Sequence, residues 1–163
     1  MDLLISGDLK GIIDVLVFME ESEKKIADFY HACGEMFPGH QAFWFGIESQ
    51  EHKHVIFIQK MKQIIEKKPE NFEKGRPFNI MAAKTIIAGI NSNTTKVKTG
   101  QLKMINALSL ARDNEQSFIE SKYNEIVKTD DIQYMTLVNE IVTETNKHRQ
   151  EIDTMIALLK SQA

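Results

Sequence analysis

The sequence predicts an all-α fold: an antiparallel four-helix bundle, made of two helical hairpins joined by one long crossover. Three observations predict it. Apolar residues recur at spacings of three and four through four long stretches, the period of a helix with one buried face. Only three prolines and eight glycines occur in 163 residues, so little interrupts a long helix. Short turns separate the stretches in pairs, and a polar connection over 68–100 lies between the pairs.

Ser6-Gly7-Asp8 offers an N-cap, and Ile12, Leu16, Met19, Ile26 and Tyr30 then share a face, so the first helix is expected over 8–35. Phe37-Pro38-Gly39-His40 is a turn. Trp44, Ile47, Ile58, Met61 and Ile65 set the second helix over 41–67, which ends in Lys67-Lys68-Pro69, with positive charge where the helix dipole favours it. The crossover holds two prolines, three glycines and the run Asn91-Ser92-Asn93-Thr94-Thr95, with a short helix expected over 79–88. The third helix is expected over 101–127 and the fourth over 132–159, with Thr129-Asp130-Asp131 as break and cap. The whole chain, 1–163, reads as one domain.

Composition narrows the function. A net charge of −3, with both signs interspersed and no basic stripe, argues against a nucleic-acid footprint. No apolar run reaches the length of a membrane span. The opening residues lack the basic segment of a signal peptide, and Cys33 is a lone thiol, so a reducing cytoplasm is the expected location. A lone cysteine also excludes a thiolate metal site within the chain. Cys33 itself reads as a small buried apolar residue, with a reactive thiol as the other reading.

The apolar seams carry residues that do not belong in a core. Read at three and four, the second seam runs Trp44, Ile47, Glu51, His54, Ile58, Met61, Ile65. The first places Glu23 between Met19 and Ile26, and the third runs Met104, Leu108, Ala111, Glu115, Phe118. The fourth runs Leu137, Ile141, position 144 or 145, His148, Ile152, Met155, Leu159. Every seam thus holds an ionisable residue near mid-helix. An unpaired buried carboxylate costs several kcal/mol, so matched acids and imidazoles call for a shared partner. A pair of divalent cations is the simplest, and oxygen and imidazole donors suit iron, manganese or zinc. The alternative is that a seam is misphased and its acid exposed. Tyr30 lies two turns beyond Glu23 and reads either as core packing or as a hydrogen-bond donor to a ligand carboxylate. His31, His40 and His52 fall off the seams and read as surface residues or supports.

With these residues placed, the chain resembles the rubrerythrin-like branch of the ferritin-like superfamily over about residues 8–160. Glu23–Tyr30 (EKKIADFY), Glu51–His54 (EHKH within SQEHKHVIF) and Glu115 followed by Tyr123 look like the family's first three helical motifs. The hairpins also form a weak internal repeat, Glu23 to His54 and Glu115 to His148. The resemblance implies a ferritin-like bundle with two iron ions held by Glu23, Glu51, His54, Glu115 and His148, supported by Tyr30 and Tyr123. The fourth-helix motif departs from the family: Thr145 stands where a Glu is expected three residues before His148, and Glu144 is the nearest acid that could stand in as a ligand. Phe118 stands where peroxidase-type members carry another Glu, so an oxidase or ferroxidase is favoured over a peroxidase.

The expected function is a redox-active di-iron protein acting on O2, peroxide or Fe(II), in oxidative-stress defence or iron handling. The resemblance also implies a homodimer, and the missing rubredoxin module implies a separate electron-donor protein. The alternative is a degenerate bundle that serves as an interaction or structural module without turnover.

Overall fold

The computed structural model describes residues 7–120 and 123–163, without the side chains of 118–120 and 123. The fold is all-α apart from one pair of two-residue strands among the described residues. Helix α1 spans Gly7–Met36, α2 Gln41–Lys67, α3 Ile80–Lys98, α4 Met104–Glu120, α5 Tyr123–Ile126 and α6 Ile132–Ser161. The expected cap at Ser6 lies outside the described residues. No helix among the described residues is long and apolar enough to cross a membrane.

The seams decide which faces are buried. In α1, Ile12, Leu16, Met19, Glu23, Ile26 and Tyr30 are all buried, and in α2 so are Trp44, Ile47, Glu51, His54, Ile58, Met61 and Ile65. The α6 seam is rotated from its expected phase: Tyr134, Val138, Ile141, Thr145, His148, Ile152 and Ile156 are buried, while Leu137, Met155 and Leu159 are only partly covered and line its edge. Cross-helix contacts fix directions. The pairs His31–Glu48, Glu23–His54 and Glu20–Gln59 make α1 and α2 antiparallel. Glu51–His148 with Lys68–Asp131 does the same for α2 and α6, and Glu115–His148 with Arg112–Asp153 for α4 and α6. At one end of the core Phe29, Tyr30, Phe43 and Trp44 pack ring on ring, and the Trp44 indole N–H points at Met104 Sδ, 3.3 Å away.

Two expectations need correction. The crossover helix is not short: α3 runs 19 residues, Ile80–Lys98. Its polar run looks like a break, but Thr94 and Thr95 donate their hydroxyls to Ile90 O and Asn91 O and stay helical. Ile87, Ile90, Thr94 and Val97 keep the helical period and are buried, on a helix that packs against α1. Asn79 caps its start, accepting from Ala82 N at 3.0 Å. Gly100 ends it at φ 71°, with Gly100 N bonded to Val97 O and Gln101 N to Lys96 O, the double closure that favours glycine.

The third helix also stops short of residue 127. After α4 and the single turn of α5, Val127–Lys128 leaves the helix and pairs antiparallel with Glu73–Lys74. Gly75 N and Arg76 N extend this clasp to Ile126 O and Glu125 O at 2.8 and 2.7 Å. Asp131 then caps α6, its carboxylate accepting from Tyr134 N at 3.0 Å.

The clasp requires glycine at position 75. A Cβ there would lie 2.2 Å from Glu125 O, backbone that cannot swing aside. Gly75→Ala is expected to lower stability by about 1–3 kcal/mol, read as a lower urea midpoint at unchanged helix content.

Candidate metal centre

Five of the predicted ligands meet in the core. Glu23 comes from α1, Glu51 and His54 from α2, Glu115 from α4 and His148 from α6, and none is more than 2% exposed. They form two groups whose donor atoms lie within 4.8 Å of one another: Glu23, Glu51 and His54 in one, Glu51, Glu115 and His148 in the other. Glu51 belongs to both. His54 Nδ1 is 3.2 Å from Glu51 Oε2 and 3.6 Å from Glu23 Oε1. His148 Nδ1 is 2.9 Å from Glu51 Oε1 and 3.7 Å from Glu115 Oε1. The two imidazole rings stack 5.6 Å apart.

The contact of His54 with Glu51 Oε2 is a hydrogen bond, whereas the others are close but poorly aligned. Glu23 Oε1, Glu51 Oε1 and His148 Nδ1 are buried with no hydrogen-bond partner, although the last two are 2.9 Å apart. Buried polar atoms are normally satisfied. Here their donor atoms converge on common points, as ligand lone pairs do. Two carboxylates flank a third with an imidazole on each side, a donor set that fits two divalent cations sharing Glu51.

Electrostatics agree with a cluster short of positive charge. Burial would raise the Glu51 carboxyl, but the imidazoles of His148 and His54 beside it outweigh that and hold it far below the usual range. Burial and the charge of Glu51 push Glu23 well up, and they raise Glu115 as well. Burial would lower the imidazoles, yet Glu23 and Glu51 hold His54 up at about 11, and Glu115 and Glu51 hold His148 at about 10. One ionised carboxylate thus sits between two imidazolium rings.

Tyr30 is where a supporting residue is expected: its buried hydroxyl donates to Glu115 Oε1. The Tyr123 side chain lies outside the described residues, as does that of Phe118. Glu144 is not brought into the cluster. It sits behind His54, accepting at 2.9 Å from Nε2, and its other oxygen is 3.2 Å from Lys53 Nζ. The reason is helix phase, since Thr145 rather than Glu144 faces inward. Thr145 is buried, but its hydroxyl donates to Ile141 O at 2.8 Å, back along its own helix. Glu144 therefore acts on the His54 ring from outside: an Nε2–H held by a carboxylate leaves Nδ1 facing the cluster, a common arrangement for ligating histidines. Lys53 was not legible as a participant, because an exposed lysine carries no signal in a periodic pattern. Cys33 is buried and its thiol is pushed up by that burial, in keeping with packing.

A second buried acid on α1 shows the contrast. Glu20, one turn before Glu23, is held by Lys24, Lys62 and Gln59. Burial would raise its carboxyl, but the two lysines bring it down to about 2. It has cations already, whereas Glu23, Glu51 and Glu115 have no lysine or arginine in contact among the described residues.

Comparison with known proteins adds no relative: no family model, no curated protein and no solved structure matches the chain.

The charge pattern has a measurable consequence in the metal-free chain. Both imidazoles have folded pKa values above the unfolded value of about 6.5. Their contribution to stability is therefore complete below that pH and lost as pH rises through 10 to 11. By NMR, the His54 and His148 rings of metal-free protein are expected to stay protonated beyond pH 9. Glu51→Gln, which removes the shared negative charge, is expected to bring both titrations down.

Proposed function

We propose that this chain is a non-haem dinuclear metal protein of rubrerythrin-like type: a ferritin-like four-helix bundle that holds two iron ions and is redox-active toward O2, peroxide or Fe(II). The observation that carries the reading is the pair of buried Glu/His groups sharing Glu51. The antiparallel pairings of α1 with α2, α2 with α6 and α4 with α6 support the bundle.

Glu23 and His54 would hold one ion, Glu115 and His148 the other, and Glu51 would bridge them. Manganese or zinc suits the same donors; iron comes from the family resemblance. Two iron ions so held would supply electron-transfer and oxygen chemistry. The protein's own groups set the stage. Glu144 fixes the His54 ring so that Nδ1 faces the site. The Tyr30 hydroxyl keeps one oxygen of Glu115 in place. The rings of Phe29, Tyr30 and Trp44 close one end of the core against water. With Thr145 in place of a sixth ligand and Phe118 in place of the extra peroxidase-type Glu, oxidation of Fe(II) or reaction with O2 is favoured over peroxide reduction. Electrons would come from a separate donor protein, and the assembly would be a homodimer in the cytoplasm.

The second reading, a bundle acting as a structural or interaction module without turnover, draws on Thr145, which leaves one helix without its carboxylate. Elemental analysis after anaerobic loading with Fe(II) separates the two. The proposal expects about two metal ions per chain, and oxygen uptake once air is admitted. Glu51→Ala combined with His54→Ala is expected to lose both ions at near-wild-type helix content by circular dichroism. Metal content unchanged in that variant would sink the assignment of the site. Thr145→Glu, which places a carboxylate at a position only 4% exposed and facing the core, is expected to tighten binding by about tenfold or more, measured by chelator competition. Because ligands must shed their protons, affinity is expected to rise with pH, with at least two protons released per chain from the two imidazolium rings.

A further inference from the structure

Outside the core centre, α1 and α2 bring a second set of donors together at the surface. Glu48 lies one turn before Glu51 on α2, and its carboxylate is 17% exposed. Two histidines from different helices approach the same oxygen of it. His31 Nδ1 on α1 is 3.1 Å from Glu48 Oε1, and His52 Nε2 on α2 is 3.4 Å away. The other His31 nitrogen, Nε2, is 3.5 Å from Glu35 Oε1. The Phe45 ring stacks on His31 at 5.4 Å. Among the described residues no lysine or arginine contacts Glu48, whose side-chain partners are the two imidazoles.

We propose that His31, Glu48 and His52 form a second metal site, for a single divalent transition ion of zinc type. Glu48 and His52 stand four residues apart on one helix, a spacing that puts both donors on one face and allows them to chelate together. His31 completes the set from the facing helix, giving two imidazole nitrogens and a carboxylate with a place left for water, the donor set of an open zinc site. The ion replaces the imidazole–carboxylate contacts rather than adding to them. The three donors do not yet lie within 4.8 Å of one another as those of the core groups do, so the two half-exposed rings turn onto the ion, His31 giving up its contact with Glu35, while Glu48, more enclosed, stays as the anchor. Imidazole donors favour zinc, cobalt or copper over magnesium or calcium.

The site is tested apart from the core centre by titrating Zn(II) calorimetrically into Glu51→Ala, in which the shared ligand of the core is gone. The expected result is about one Zn(II) per chain, with affinity falling at least about tenfold when either His31→Ala or His52→Ala is added. Retention of that zinc in both combinations, or no zinc bound by Glu51→Ala, would overturn the proposal. Wild-type protein supplies a check that needs no core substitution. Cu(II) added beyond what the core takes up should broaden the ring signals of His31 and His52 together, and unbroadened signals from either ring would overturn it as well. The proposal stands or falls separately from the di-iron reading, because both arms are read at His31 and His52 themselves.

Discussion

The fold is organised round Glu51, a carboxylate sealed in the core with an imidazole on each side. Hydrophobic burial drives the helices together, but it gives no reason to put an acid at the centre. Each neighbour follows from that acid. His54 and His148 supply positive charge, and Glu23 and Glu115 bring two further carboxyls to the same cluster. Burial and the charge of Glu51 raise the carboxyls of Glu23 and Glu115, while the two imidazoles hold that of Glu51 low. That is a costly way to build a core, and a bound cation would offset the cost.

Glu20 and Glu23 show how a structural acid differs from a candidate ligand on the same helix. Both are buried, one turn apart. Glu20 lies at the helix edge, where lysine stems from α1 and α2 can reach it. Glu23 faces the seam, where no lysine can enter without burying its own charge. Burial alone therefore does not mark a site, whereas burial without a counter-charge does.

Much of this was legible in the sequence because helical periodicity projects directly onto burial. Glu23, Glu51, His54, Glu115 and His148 were found as interruptions of apolar seams, and the core holds all five. What was not legible depended on phase or on long-range pairing. Choosing between Glu144 and Thr145 needed the rotation of α6 to within a fraction of a turn, which Leu137 and Met155 at the seam edge could not fix. The length of α3 was hidden by threonines that bond back to their own helix. The strand pair of Glu73–Lys74 with Val127–Lys128 joins residues too far apart in sequence, and too few in number, to leave a pattern.

Trp44 is the only tryptophan in the chain. Its ring packs against Tyr30, at 5.8 Å between centroids, and the Tyr30 hydroxyl is bonded to Glu115. All the indole emission of this protein therefore arises one residue away from the carboxylate cluster, in a fully enclosed place. The chain carries a built-in optical reporter, whose brightness and colour register what happens at Glu115 without any label being attached.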